Sequence, residues 1–415
     1  MTLGNLLLLI NSYVILNMKW LLIFIPVFTF GQKEFNFEKL SKAKLKKEYF
    51  DSSFYNHKGF LLGDVHGIKE SYEILFMTIK HLYNYQGVKN VFLERGKDYL
   101  YFANGYINNE ISKEQFLNSV DVRNSLLETK EEFKFYKRIK QFNSKKEDSL
   151  KVKLKPMFEF SLPITALNFL FRNIDHTKRD QFYLGKKVDS LRKLTAFDKK
   201  YFMEQINLLE KEGGPVSFFA SSKSDKEEIL TVNPDFENEY HRLKKYILRL
   251  DSASLYMQYR ENELANAVSN YVSSNSSPFI VFIGRDHVMK SRASSVKYLD
   301  SLFHQKVTSR YKLASDYFCF ISPITLKGSD LYPCSYDKNS HKVNWCVQRL
   351  RTGGSIIYNY RINKAFYPKS KYSWFIGNQQ AQDYAITLTK PYEKWQDATD
   401  YLIVIKKPKA LKPFK

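Results

Sequence analysis

The 415-residue sequence predicts an α/β fold: a mostly parallel central sheet flanked by helices, with a helical insertion or cap. Three observations lead there. Short apolar runs that stop at polar residues recur at Gly59–Leu62, at "NVFLE" and at "FIVFIG", as strands buried on both faces do. Between the first two runs, Tyr72, Leu75, Phe76, Ile79, Leu82 and Tyr83 recur at helical spacing, and a strand–helix–strand unit of this length is a right-handed crossover with parallel strands. The stretch from Leu162 to Leu250 is helical in pattern almost throughout, with no strand of its own.

The chain divides accordingly. Residues 1–31 hold an N-terminal extension and a signal peptide. "MKWLLIFIPVFTFGQ", from Met18, has one positive charge, an apolar core and small Gly31 before Gln32. Met1–Asn17 reads as an extension upstream of the true start. The alternative is a signal anchor, since Leu6–Phe30 is long enough to span a bilayer. Either way the folded part is exported, periplasmic or secreted. Residues 32–58 form a charged, partly helical lead-in.

Residues 59–161 form the first part of the core. Gly59–Leu62 is the first strand, Glu70–Tyr85 a helix that "GVK" ends, and "NVFLE" the second strand. Glu110–Asn143 is rich in lysine and glutamate at helical spacing and predicts surface helices. "LKVKLKPMFEF" is the third strand. Residues 162–250 are the helical insertion, punctuated by Gly213, Gly214 and Pro215. Residues 251–415 complete the core. Ser254–Val272 is a helix with Leu264, Val268, Tyr271 and Val272 along one stripe, and "FIVFIG" is a buried strand. "YFCFISPITL" and "TDYLIVIK" are further strands, with an irregular tyrosine-rich stretch between.

Composition narrows the function classes. The hydrophobic fraction of 44% and aromatic fraction of 16% supply a large core. The net charge of +22 is mostly lysine spread along the chain, which suits contact with an anionic or membrane surface. No helix carries a clean basic stripe, and zinc-finger spacing and RNA-binding aromatic signatures are missing, so nucleic acid is not the expected partner; a small molecule is. Of the cysteines, Cys334 and Cys346 lie in a polar stretch where an oxidising compartment would let them pair. Cys319, inside "YFCFIS", reads as a buried strand residue.

Three predicted strands end in polar groups beside glycine: Asp64 and His66, Glu94 and Arg95, and Arg285, Asp286 and His287. In open α/β sheets ligands sit beyond the carboxyl ends of parallel strands, so each group lies where a pocket would form. Each residue also has a structural alternative: capping for the histidines, a salt bridge from Glu94 to Arg95 or a lysine, and loop bracing for Arg285 and Asp286. The G-x-S-x-G elbow, the H-E-x-x-H helix and the phosphate loop are missing.

These residues resemble a known group. "LLGDVHGIKES", "VFLERG", "YRENELANAV", "VFIGRDHV" and "ATDYLIVIKK" are similar, in order, to motifs of the erythromycin-esterase-like proteins, whose relatives include ChaN-like haem-binding lipoproteins and Tiki/TraB-like proteases. The resemblance spans Gly59–Lys406 and implies a cleft lined by His66, Glu94, Arg260 and His287, with Glu159 at an acidic position after the third strand. Asp64 stands where the group usually has glutamate, one residue rather than two separates it from His66, and Gly284 replaces a second histidine. These departures argue against macrolide hydrolysis itself, and no lipid-attachment cysteine follows the signal region, which argues against a close ChaN-like role.

The expected chemistry is hydrolysis of an ester or related bond without a cofactor. His66 takes a proton from water, Glu94 orients it, His287 is the second acid or base, and Arg260 pairs a substrate carboxylate or braces the acids. Asp64, Glu159 and Arg285 are expected on the substrate side. Two alternatives use the same atoms: His66, Glu94 and His287 as ligands of a divalent metal such as zinc or manganese, or a non-catalytic pocket for haem or another ligand.

Overall fold

The computed structural model describes residues 35–37, 45, 47, 50, 52–64, 68–120, 129–161, 163–170, 172, 211, 223–249, 253–284, 287–288, 290, 301–325, 329–337, 342–349, 360–361, 373–376, 387–388 and 399–405. All lie within one unit, Phe35–Lys415. The expected signal segment is outside the described residues. Among these residues, no helix is long and apolar enough to cross a membrane.

The predicted sheet is present. Its strands are β1 (Phe35–Phe37), β2 (Gly59–Asp64), β3 (Asn90–Gly96), β4 (Lys153–Phe158), β5 (Phe279–Gly284), β6 (Phe318–Thr325), β10 (Ser373–Ile376) and β12 (Tyr401–Ile405). They form an 8-stranded sheet in the order β1-β10-β12-β6-β2-β5-β3-β4. From β12 to β4 every neighbouring pair is parallel; β10 and β1 close one edge antiparallel. The remaining strands, β7 (Ser329–Asp337) with β8 (Lys342–Arg349) and β9 (Tyr360–Arg361) with β11 (Thr387–Leu388), make two separate antiparallel pairs.

Nine helices are described: α1 (Glu70–Gln86), α2 (Lys97–Ile107), α3 (Lys113–Ser119), α4 (Lys130–Asn143), α5 (Pro163–Leu170), α6 (Lys223–Val232), α7 (Phe236–Arg249), α8 (Ala253–Ser274) and α9 (Phe303–Tyr311). Helix α1 ends at Gly87, whose φ of 68° is the left-handed conformation that only glycine adopts without strain. Helix α3 starts with a capping box from Ser112 and Gln115, and Thr129 caps α4. Helices α5 to α7 fall within the predicted insertion.

The strands alternate their side chains between two helix layers. Phe60, Leu62, Val91, Leu93, Ile280 and Phe282 face α1, α2 and α4. Leu61, Phe92, Val281, Ile283, Phe318 and Phe320 face α8 and α9. Every residue of β5 is buried, as a central parallel strand requires. Each such large apolar side chain contributes about 1.5–3 kcal/mol by leaving water. Cys319 is a buried strand residue, as expected.

The lead-in, expected as partly helical, has a 3-10 helix at Ser52–Asn56 and also contributes strand β1 at Phe35–Phe37. One expectation is corrected. The tyrosine-rich stretch before β12, expected as irregular, contains strands β7 to β11, formed by pairing across the chain. Cys334 and Cys346 fall in β7 and β8, but their side chains, and so the expected pairing, lie outside what is described.

One buried charge cluster ties β3 to the helices. Arg95 leaves β3 on the α4 side and donates to both carboxylate oxygens of Glu132, at 2.9 and 2.7 Å. The Tyr136 hydroxyl donates to the same carboxylate at 2.6 Å. Burial, and then the charge of Glu132, hold the Tyr72 and Tyr136 phenols well above their ordinary pKa, so both stay protonated donors. A fully bonded buried carboxylate tolerates its site, whereas a lone guanidinium there would not. Glu132→Ala is therefore expected to cost about 3–5 kcal/mol in urea denaturation, and Arg95→Met with Glu132→Leu to recover most of it. Equal losses in the single and double variants would contradict this.

His81 is buried among Phe50, Phe54, Tyr55 and Tyr85. Its Nδ1 lies 3.0 Å from the Leu45 carbonyl oxygen and its Nε2 2.9 Å from the Tyr55 hydroxyl. Those partners fit a neutral ring donating at Nδ1 and accepting at Nε2. Burial pulls its pKa from 6.5 to about 4, against the opposing pull of the Leu45 carbonyl. The unfolded chain thus takes up this proton first, so the contribution to stability is complete above pH 6.5 and is lost as pH falls toward 4. His81→Gln should flatten the fall in urea midpoint across that window; an unchanged slope would contradict the assignment.

Candidate active site at the carboxyl edge of the sheet

Because β2, β3, β4 and β5 are parallel, their last residues share one edge. Asp64 lies opposite Gly284 in register, and Gly96 opposite Phe158. The chain leaves the adjacent ends of β2 and β5 toward opposite helix layers, α1 on one face and α9 on the other. A crevice between such ends is where open α/β sheets bind ligands.

Glu94, on the next strand β3, reaches the end of β5. The β3–β5 register extends to Leu93 opposite Phe282, and Glu94 continues the connection with its side chain. Its Oε2 accepts the Gly284 N–H at 2.7 Å, and its Oε1 pairs with the Arg260 guanidinium of α8. The guanidinium also lies over the Phe158 ring, 5.3 Å from its centroid, at the end of β4. One ion pair thus binds the ends of β3, β4 and β5 to α8. Both partners keep some exposure, 16% for Glu94 and 18% for Arg260, so the pair borders solvent without being surrounded by it.

His287 follows β5 and is buried. Its Nδ1 lies against Oε1 of Glu261, the residue after Arg260 on α8. Glu261 is fully buried, and its Oε2 accepts the N–H of Phe303, the first residue of α9, at 2.8 Å. Consecutive residues of one helix therefore hold an acid from β3 and a histidine from the exit of β5.

The other expected residues divide. Asp64 ends β2, half-buried, close enough that its charge raises the Tyr72 pKa. Glu159 follows β4 and pairs with Arg242 of α7 at 3.2 Å, so it joins the core to the insertion rather than joining the Glu94–Arg260 pair. Arg95 turns to the opposite face, toward Glu132. His66, Arg285 and Asp286 lie outside the described residues, and with them one third of the His66–Glu94–His287 set. Both Glu94 oxygens are already engaged, and the described residues contain no group of three or more metal-ligating side chains. A cavity of about 570 Å³ beside α9, lined by His57, Lys290, His304, Phe318, Phe320 and Asp400, holds none of the candidate residues.

Glu261 is the residue that sequence reading missed. The signal was present: in "YRENELANAV" it is the charged position in line with Leu264, Ala265 and Val268, the buried stripe of α8. A carboxylate on an apolar stripe needs a specific partner. That partner comes from residues 26 and 42 positions away in the chain, His287 and Phe303, and only the fold supplies it.

No family model matches the sequence, and no curated protein does. Solved structures do resemble it. A succinoglycan biosynthesis protein aligns at 15% identity over 91% of this chain and 95% of its own, with a TM-score of 0.56. A protein from Bacillus cereus aligns at 16% identity over 88% and 92%, with a TM-score of 0.52. A histidine-to-asparagine mutant of erythromycin esterase EreC, in its open conformation, aligns at 11% identity over 89% and 96%, with a TM-score of 0.47. At these identities the likeness is one of fold, and this chain shares the architecture of the first two across nearly its whole length.

Proposed function

We propose that this protein is an exported hydrolase, similar to the erythromycin-esterase-like proteins, that cleaves an ester or related bond of a small molecule with histidine-activated water. The observation that carries the reading is the pairing at the carboxyl edge: Glu94 with Arg260 and Gly284, and His287 with Glu261, through adjacent residues of α8. The order of the motifs from Asp64 to His287 supports the same reading from the sequence side.

In this reaction water attacks the acyl carbon and gives a proton to an imidazole. The carbonyl π pair moves to oxygen, then returns as the bond to the leaving alkoxide breaks, and the alkoxide takes the proton. His66, two residues after Asp64 in the sequence, is the proposed base. Glu94 orients the reacting groups, His287 is the second proton carrier, and Arg260 holds Glu94 in place. Asp64 and Arg285 would face substrate. The excess of lysine would draw the protein to anionic surfaces without taking part in the chemistry.

Hydrolysis of a panel of p-nitrophenyl esters and small lactones by the purified protein tests this, with and without EDTA. His66→Ala and His287→Ala are expected to lower turnover by about a hundredfold or more, with unchanged circular dichroism. Wild-type rates in both variants, or no hydrolysis across the panel, would overturn the reading. Loss with EDTA and recovery with zinc or manganese would reassign His66, Glu94 and His287 as ligands. Export is tested separately: the mature protein should begin near Gln32, read by mass spectrometry.

A further inference from the structure

We propose that Glu261 is a positioning residue that sets the tautomer of His287, with Nδ1–H toward Glu261 and the lone pair on Nε2. The assignment of the ring stands on the geometry alone; its catalytic consequence rests on the hydrolase reading above.

Glu261 has no exposed surface, and its two oxygens have different partners. Oε2 takes the Phe303 N–H at 2.8 Å. Oε1 lies against Nδ1 of His287, and neither of these buried atoms has a hydrogen-bond partner elsewhere among the described residues. A carboxylate oxygen facing a bare imine nitrogen would set lone pair against lone pair where both atoms are buried. A proton on Nδ1 removes that conflict and satisfies both atoms. In a neutral ring the other nitrogen, Nε2, is then the acceptor. The carboxylate also sits at the amino end of α9, a helix of 9 residues, where backbone N–H groups favour negative charge.

This tautomer decides the order of proton movements. A ring with its lone pair on Nε2 cannot first donate to an oxyanion; it first accepts. His66 takes the first proton of the attacking water as the oxygen–carbon bond forms. As the adduct collapses, His66 returns that proton to the leaving alkoxide while Nε2 of His287 accepts the remaining proton of the adduct hydroxyl, and the acyl group leaves as a carboxylate. Arg260 and Glu261 thereby divide the work of one helical turn: the first holds Glu94, the second orients His287.

The test exploits the asymmetry of the two oxygens. In Glu261→Gln the amide oxygen is expected to keep the Phe303 N–H, which turns the amide NH2 toward Nδ1. A ring facing a donor must accept at Nδ1 and carry its proton on Nε2. Long-range proton–nitrogen spectra of full-length, nitrogen-15 histidine-labelled protein at pH 8 read this, with His287 assigned by its loss in His287→Asn. The expected result is a protonated Nδ1 in the wild type and a protonated Nε2 in Glu261→Gln. With the p-nitrophenyl ester that the wild type cleaves, kcat should fall at least about a hundredfold in Glu261→Gln, with KM little changed. A wild-type ring protonated on Nε2 would overturn the inference even if the enzyme is active. A role for Glu261 as a cap of α9 alone predicts the same tautomer in both proteins and would also overturn it. A protonated Nδ1 in a protein that hydrolyses nothing would uphold the positioning and remove the hydrolase reading instead. Should Glu261→Gln fail to fold, the wild-type spectrum decides by itself.

Discussion

Glu94 reaches across from β3 to the last amide of β5 and, with its other oxygen, to Arg260 of α8. Much of the local architecture depends on this carboxylate. Beyond Leu93 and Phe282 the two strands no longer pair through their backbones, and an unsupported edge would open. The side chain takes over where the ladder stops. It also brings a helix from the opposite layer to the same place, with Phe158 beneath the guanidinium as a third contact. A carboxylate with charged and backbone donors on both oxygens is held at one geometry, as a group that must orient a reactant needs to be.

The same edge shows how the fold accommodates charges it would otherwise reject. Arg95 and Glu94 are neighbours in sequence, yet the alternation of a strand sends them to opposite faces. Arg95 finds Glu132, Tyr136 and Tyr72 in the α1–α4 layer; Glu94 finds Arg260 in the α8 layer. Each charge is neutralised locally and hydrogen-bonded, which is the condition for keeping ions out of water. Farther along the edge, Glu239 of α7 receives Arg172 at 2.8 Å, and Arg242 of α7 joins Glu159, so α7 of the insertion is attached by charge to the residue that follows β4.

Legibility followed the range of the interactions. Strands β2, β3 and β5 could be read directly because burial on both faces writes itself as an unbroken apolar run. Helices α1 and α8 showed their stripes. The hairpin of β7 and β8, the edge strand β1 and its neighbour β10 could not be read in the same way. Their mixed sequences become strands only when another segment supplies hydrogen bonds. In the site, Glu94, Arg260 and His287 stood out as polar residues at strand ends or in a motif. Glu261, beside Arg260, showed only that a carboxylate on an apolar stripe needs a partner; the partners, 26 and 42 residues away, came with the fold.

The sequence by itself determined the fold class, the parallel character of the core, and the edge on which polar chemistry collects. Those properties follow from local periodicity and from the turn where each apolar run ends, which neighbours along the chain control. Tertiary structure alone decided the strand order, which inserts β5 between β2 and β3, and so decided that Glu94 meets Gly284 and that Arg260 and Glu261 face different strands' side chains. These pairings join residues far apart in the chain, and their free energy comes from removing both partners from water together, which no stretch of sequence contains alone.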